Sequence, residues 1–159
     1  MQKLQNKVFT ADELLFKASA YCSLSEHCIF EVSEKLTARG ATNKDLQKII
    51  AYLLENNFLN EQRYTDAYVR DKFRFNKWGK RKIALMLSAK NIDKEVINNS
   101  LSLIDDDSNE ALLADILQKK LKTLKFKNEY DCRVKLLRFA AGKGFEMREI
   151  EKAIRKVLP

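Results

Sequence analysis

The stretches LTARGA (Leu36–Ala41), LSAKNI (Leu87–Ile92) and AAGKGF (Ala140–Phe145) share one order of residue types. In each stretch, a cation and then a Gly or Asn precede a small or apolar residue. Gly and Asn most readily adopt the left-handed backbone that ends a helix. The order therefore predicts a helix end, an inward-pointing residue and a new helix, three times along the chain.

The spacing of these stretches supports a tandem repeat. The second copy starts 51 residues after the first, and the third starts 53 residues after the second. In every copy an apolar residue follows five positions after the small or apolar one, and another comes four positions later, which is helical spacing. These pairs are Leu46 and Ile50, Ile97 and Leu101, and Ile150 and Ile154.

The composition favours helices throughout. Apolar residues recur at helical spacing along nearly the whole chain. The 159 residues include only four Gly and one Pro, too few for the many tight turns of a sandwich or barrel. We therefore predict an all-α fold of three tandem three-helix, helix-turn-helix-like repeats in an elongated array. The predicted repeats are residues 1–59, which include an N-terminal extension, residues 60–106 and residues 107–159.

Local signals mark several helix ends. Thr10 and Glu13 have the spacing of a capping box at the start of the first helix. Gly40 fits a left-handed cap at a helix end. Asn60 is placed to cap a helix that begins at Glu61, and a further helix is expected to start at Gly79.

The net charge of +8 is unevenly distributed. Residues 1–69 hold eight cations and nine anions, whereas residues 70–90 hold eight cations and one anion. Residues 91–117 hold one cation and seven anions, and residues 118–159 hold thirteen and five. Two basic segments thus flank an acidic one, and the short middle segment has the densest positive charge.

The middle segment contains KFRFNKWGKRK, Lys72–Lys82, in which six cations alternate with three aromatic rings. Such a density of like charge opposes folding unless a polyanion or an acidic partner neutralises it. We therefore predict a surface that binds nucleic acid or a partner. The alternative is a solvated helix end whose rings, Phe73, Phe75 and Trp78, lie in the core. The predicted binding residues are Arg70, Lys72, Arg74, Lys77, Trp78, Lys80, Arg81 and Lys82.

Two other sequence features leave their interpretation open. The basic run from Lys119 to Arg138 suits a second contact surface or a solvated helix equally well. The last helix of each repeat invites comparison with a recognition helix. Only the third, MREIEKAIRKVL, is distinctly basic, and none has a cluster of Arg, Asn and Gln that would read bases.

The sequence gives little support for catalysis, a metal or a membrane anchor. His27 lies near Cys22 and Cys28, but a fourth metal ligand is lacking, and Glu26 and Glu31 have no evident partner base. No phosphate-binding loop or nucleophile elbow occurs, and no apolar run reaches the roughly 20 residues of a membrane span. Three unpaired cysteines suit a reducing cytoplasm. We expect a cytoplasmic, non-enzymatic protein without cofactor or metal.

Three segments of this sequence resemble the RecX family of bacterial recombinase regulators. They are EVSEKLTARG (Glu31–Gly40), FLNEQRYTDAYVRDKFR (Phe58–Arg74) and GKRKIALMLSAKNID (Gly79–Asp93). The chain departs from the family pattern in three places. Val32 replaces a Leu, Asn91 replaces a Gly, and His27-Cys28 replaces an Arg-Ser pair.

This resemblance implies both a fold and a function. It implies three tandem three-helix repeats that act in DNA recombination and repair. It implies binding to the RecA recombinase filament on single-stranded DNA, with inhibition of its ATPase and recombinase activities. Arg63 and Tyr64 match the family pattern, but we expect partly structural roles for them, Tyr64 in packing and Arg63 in bonding the preceding turn. The expected partners are the RecA filament and single-stranded DNA, bound directly or through the filament by a monomer. The alternative is a nucleic-acid-binding protein that acts without RecA.

Overall fold

A computed structural model describes residues 7–158, which form nine α-helices and no strand. The all-α, tandem three-helix prediction is thereby confirmed, while the start of the predicted N-terminal extension lies outside the described residues. The helices are α1 (Ala11–Leu24), α2 (Ile29–Thr37), α3 (Asn43–Glu55), α4 (Glu61–Arg74), α5 (Lys80–Ser88), α6 (Lys94–Leu101), α7 (Asp106–Thr123), α8 (Glu129–Lys143) and α9 (Met147–Val157).

The repeated cation-Gly/Asn pair ends a helix in all three copies. Gly40, Asn91 and Gly144 have φ angles of 87°, 57° and 93°, so each adopts the left-handed backbone that the sequence predicts. The following residue is buried in two copies, where it is Ile92 or Phe145. In the first copy it is a small, half-buried alanine. The turn before each repeat's last helix is therefore set by local sequence.

Helices α1, α2 and α3 pack on one another around a first core. The predicted capping box is present, since Thr10 Oγ1 accepts from the Glu13 backbone and Glu13 accepts from the Thr10 backbone. Thr42 and Asp45 form a second box at the start of α3. The buried residues of this core are Leu14, Ala18, Cys22, Val32, Leu36, Ile49, Leu53 and Leu59.

Helices α7, α8 and α9 pack on one another around another core. Asp105 and Asn128 cap α7 and α8 with their side chains. These side chains accept hydrogen bonds from backbone amides of the first helical turn, which stabilises the start of each helix. The buried residues are Leu113, Ile116, Leu117, Cys132, Leu136, Ala140, Phe145, Ile150 and Ile154.

Helices α5 and α6 pack together in the middle of the chain. Ile83 and Leu87 of α5 are fully buried, and Ile97 of α6 is 3% exposed. The buried Ser100 hydroxyl donates to Asp66 Oδ1 at 2.6 Å, which satisfies a polar group that would otherwise be costly to bury.

The chain divides into two compact units, and the division falls within α4. One unit holds the chain up to Tyr64 together with residues 90–92, and the other holds residues 65–89 and the chain from Asp93 onward. The three repeat boundaries given above remain a prediction. Within residues 7–158, no helix has both the length and the apolar character that crossing a bilayer requires.

Candidate partner-binding surface

The eight predicted binding residues lie on the end of α4, on the turn that follows and on the first turn of α5. We call the segment from Arg70 to Lys82, which contains these eight residues, the basic block. In the turn, Lys77 adopts a left-handed backbone, with a φ of 57°. The Trp78 amide then donates to the Lys72 carbonyl at 3.2 Å, which ties the turn to the end of α4.

Two glycines hold the basic block against the turn between α8 and α9. The Gly79 amide donates to the Lys143 carbonyl at 2.7 Å, and the Arg81 amide donates to the Gly144 carbonyl at 3.0 Å. A Cβ atom at Gly79 would overlap the Gly144 carbonyl, so only glycine permits this approach. The contact brings Lys143, which we did not predict as a site residue, beside the block. The sequence signal that could have drawn attention to Lys143 is that it is the cation of the third repeated cation-Gly/Asn pair.

Most cations of the basic block have no acidic partner. Arg70, Arg74, Lys77 and Arg81 are exposed, and the other three lysines are half-buried. Among the described residues, the one ion pair of the block joins Arg70 Nε to the neighbouring Asp71 at 3.6 Å, and both side chains are open to solvent. Such a pair contributes little to stability. The block is therefore a solvent-accessible positive surface whose charge is largely unpaired with acidic side chains.

Asp105 is attracted electrostatically by one cation of the block, Lys80. Two hydrogen bonds from Ser108 are the main reason why the pKa of the Asp105 carboxyl lies below its ordinary value, and Lys80 adds a weaker attraction. Asp105 is exposed, and Lys80 forms no ion pair with it within residues 7–158. The attraction does not neutralise the block.

The aromatic rings of the block are not core residues. Phe75 is 68% exposed, whereas Phe73 and Trp78 are half-buried. Two lysines of the block contact the Trp78 ring, with Lys82 Nζ 4.5 Å and Lys72 Nζ 5.1 Å from its centroid. These cation–π contacts hold the two ammonium groups close to one ring. Trp78 therefore orders the lysines around it, and Phe75 is the most open ring of the three.

The second basic run, on α7 and α8, is partly neutralised within its own helices. Lys119 pairs with Asp115 at 2.8 Å, Arg133 with Glu129 at 2.9 Å and Lys135 with Asp131 at 2.8 Å, each four residues apart. Partly exposed i,i+4 pairs of this kind are typical of a solvated helix. Of the two basic segments, the basic block is thus the one with less internal compensation.

Arg63 and Tyr64, which match the family pattern, have the structural contacts that we predicted. Arg63 forms an ion pair with Glu26 and donates to the carbonyls of Asn57 and Phe58 in the preceding turn. Tyr64 is 6% exposed, and its hydroxyl donates to Glu31 at 2.9 Å. Both side chains therefore bond to other parts of the protein itself.

Glu31 is the centre of a hydrogen-bond network that sequence reasoning missed. It accepts from His27 Nδ1 at 2.8 Å, from the Tyr64 hydroxyl and from Lys90 Nζ at 2.9 Å. Burial by itself raises the pKa of Glu31, but hydrogen bonds from Lys90, His27 and Tyr64 more than offset this and lower it. The expectation that Glu31 lacks a partner base was wrong. The four-residue spacing from His27 was the available signal.

His27 has structural contacts at both ring nitrogens and on its face. Nδ1 bonds Glu31, Nε2 lies 3.0 Å from the Ser25 hydroxyl, and the ring stacks on Tyr21 with centroids 3.6 Å apart. Burial raises the pKa of the Cys28 thiol, which disfavours the thiolate form that binds metals. Within the described part of the chain, no three His, Cys, Asp or Glu side chains cluster as metal ligands.

The sequence matches two family models. One is described as RecX, second three-helix domain, and matches residues 60–101; the other is RecX, third three-helix domain, and matches residues 107–154. The chain belongs to the RecX family. The basic block lies inside the second three-helix domain of RecX, and the Gly144 turn that it contacts lies inside the third.

Curated RecX proteins resemble most of the chain. Regulatory protein RecX of Clostridium beijerinckii is 32% identical over 130 residues, which are 80% of this chain and 60% of that protein. Regulatory protein RecX of Vibrio vulnificus is 28% identical over 148 residues, which are 92% of this chain and 95% of that protein. The chain thus spans about three fifths of the length of the clostridial RecX protein and nearly all of the Vibrio one.

Two solved RecX structures share the fold. The crystal structure of RecX from Lactobacillus salivarius superposes with a TM-score of 0.83 at 22% identity, and the match covers 92% of this chain and 96% of that one. Another crystal structure of a regulatory protein RecX gives a TM-score of 0.81 at 18% identity over 91% of this chain and 73% of that one. At these identities the likeness establishes the fold.

Proposed function

We propose that this RecX protein is a non-enzymatic negative regulator of RecA, which binds the RecA filament on single-stranded DNA and inhibits its ATPase and recombinase activities. The observation that carries the proposal is the basic block, whose cations are exposed or half-buried and almost free of acidic partners within residues 7–158. Membership in a family named for regulation supports the same conclusion.

The physical basis is charge that the chain itself leaves uncompensated. Clustered like charges repel one another in the free protein, and an oppositely charged partner removes that repulsion on binding. A nucleoprotein filament presents DNA phosphates together with protein carboxylates, so it offers negative charge from two sources. The glycine contact between Gly79 and Gly144 holds the block in place before binding, which reduces the entropy lost on association.

Charge reversal in the block tests the proposal. Replacing Lys80, Arg81 and Lys82 with Glu places three anions where the filament would meet cations, so inhibition of the DNA-dependent ATPase of RecA should weaken by tenfold or more. Each fully engaged charge contributes on the order of 1 kcal/mol or more, and about 1.4 kcal/mol is a factor of ten. The readout is the concentration of protein that halves the ATPase rate.

A matched control separates the effect of the basic block from the effect of the net charge. Lys44, Lys48 and Lys94 are exposed, lie outside the block and have no acidic partner among the described residues. Replacing these three with Glu changes the net charge by the same amount and should leave inhibition close to that of the unmodified protein. Normal inhibition by the Lys80/Arg81/Lys82 variant would show that the block is not the contact.

The alternative function, nucleic-acid binding without RecA, rests on the same positive surface. The two functions differ in what the protein prefers to bind. We expect much tighter binding to single-stranded DNA coated with RecA and a non-hydrolysed nucleotide than to the bare strand. Equal binding to the two forms would favour the alternative.

A further inference from the structure

A groove of about 380 Å³ lies beside the basic block, within the unit that contains the end of α4 and the start of α7. One wall is the C-terminal half of α4, and the other is the connection from α6 to α7 with the first turns of α7. Its size is within the lower range of pockets that hold a ligand or a partner's side chains. The groove brings aliphatic residues of the α6–α7 connection and of α7 beside three cations of the block.

The floor of the groove is apolar, and part of it is open to solvent. Val69 is 1% exposed and Ile104 is 7% exposed, so they form a fixed base. Leu103 is 64% exposed, and Phe73 and Leu112 are half-buried. A large apolar side chain that covered Leu103 would remove apolar surface from water on both sides, which favours binding.

The rim of the groove is positive. Arg70, Arg74 and Lys77 line it and are exposed, and none of the residues that line it is acidic. Arg70 pairs weakly with its neighbour Asp71, and Arg74 lies over the ring of Phe75. The groove therefore combines an apolar floor with three cations that have no carboxylate facing them from its walls.

Lys77 adopts a backbone conformation that is unfavourable for lysine. Its φ of 57° is in the left-handed region, which costs a residue with a side chain on the order of 1 kcal/mol and costs glycine nothing. At the three repeat turns, the same backbone is adopted by Gly or Asn. A lysine here places a cation on the groove's rim, where the more stable choice would place none.

From the floor, the rim and the placement of Lys77, we infer that this groove binds an acidic protein segment that carries at least one large apolar side chain. The inference rests on the proposed function, since the segment would belong to the filament's protein. The apolar side chain covers Leu103 and Phe73, and flanking carboxylates meet Arg70, Arg74 and Lys77. Phosphates of DNA would use the rim but would gain nothing from the apolar floor, so the floor favours a protein segment over a nucleic acid.

A substitution that raises the charge while removing the floor separates the two kinds of partner. Leu103→Lys adds a cation to the rim and deletes the exposed part of the apolar floor. An acidic segment with an apolar anchor should then bind about tenfold more weakly, as expected for the loss of an interface anchor. A partner recognised only by its negative charge should bind as tightly or more tightly. The measurement is the affinity for single-stranded DNA coated with RecA and a non-hydrolysed nucleotide.

The matched control is Leu24→Lys, because Leu24 is another exposed leucine, at 86%, and lies at the end of α1 outside the groove. Its affinity should equal that of the unmodified protein, and circular dichroism should show both variants folded. Unchanged or tighter binding by Leu103→Lys would overturn the groove inference and leave the proposed function standing. Failure of the unmodified protein to bind the coated strand would instead overturn the proposed function, and the inference with it.

Crosslinking identifies the occupant directly. The three native cysteines are buried, so a thiol-reactive benzophenone will label Leu103→Cys selectively. On the coated strand, we expect a photocrosslink to a RecA peptide that contains several carboxylates beside a large apolar residue. A crosslink to DNA, or to a RecA peptide without carboxylates, would contradict the inference.

Discussion

At the scale of single residues, Glu31 joins segments that are far apart in sequence. Its carboxylate accepts from His27, four residues away, but also from Tyr64 and Lys90, which lie 33 and 59 residues away. A half-buried carboxylate with three donors is favourable only in its charged form. The residue therefore stabilises the fold in a pH-dependent way.

Glu31→Gln should destabilise the protein by about 1–3 kcal/mol at pH 7, because three donors lose a charged acceptor and keep at most one neutral one. The sign of the pH dependence follows from the lowered pKa of Glu31, whose ordinary value is 4.5. The contribution is complete above pH 4.5 and is lost as the pH falls through the lower folded pKa. Urea unfolding of both proteins across this range measures the difference.

The control for this prediction is Glu34→Gln on the same helix, since Glu34 is exposed and forms no ion pair with another described residue. Its stability should stay within about 0.5 kcal/mol of that of the unmodified protein. A loss for Glu31→Gln that did not shrink at low pH would contradict the role assigned to the carboxylate.

At the scale of elements, backbone contact fixes the start of α5 against the end of α8. The Gly79 and Arg81 amides donate to carbonyls of the α8–α9 turn, and Gly144 leaves room for the backbone of Lys82. Side chains at either glycine would force the two turns apart. The position of the basic block therefore depends on two residues that carry no charge.

Gly79→Ala should destabilise the protein by about 1–3 kcal/mol, because its methyl group would overlap the Gly144 carbonyl and backbone atoms cannot rotate away. Gly142→Ala is the matched comparison, since a Cβ there meets nothing within 4 Å and the residue lies inside α8. That change should stabilise the protein by up to about 1 kcal/mol. Thermal unfolding measures both, and equal effects would show that the Gly79 contact does not constrain the fold.

At the scale of the whole molecule, the net charge of +8 says less about binding than which cations pair with acidic side chains. The cations on α7 and α8 include three that pair with acids one turn away. The cations of the basic block have almost no such partners among residues 7–158. Long-range attraction to a negatively charged filament should therefore come mainly from the block, and it should be screened by salt.

Salt should weaken filament binding, and the basic block should account for most of that sensitivity. Between about 50 and 200 mM salt, the affinity for the RecA-coated strand should fall steeply for the unmodified protein. The Lys80/Arg81/Lys82 variant should show a distinctly shallower dependence, because it has fewer cations to be screened. The Lys44/Lys48/Lys94 variant should keep the original slope, and parallel slopes for all three proteins would contradict this assignment.

The sequence by itself determined the all-α fold, several helix ends and the three repeated turns. These features depend on interactions within a few residues, such as the Thr10–Glu13 capping box and the left-handed backbone at Gly40, Asn91 and Gly144. The position of the basic block was also visible, because charge density can be counted along the chain.

Only the tertiary structure decided which of these charges lack partners and what surrounds them. The exposure of Phe75, the contacts of two lysines with Trp78 and the apolar groove with Leu103 on its floor each depend on how helices pack. The network of Glu31 likewise joins residues up to 59 positions apart. Periodicity and local charge carry no information about such distant neighbours, because these are brought together by packing rather than by spacing along the chain.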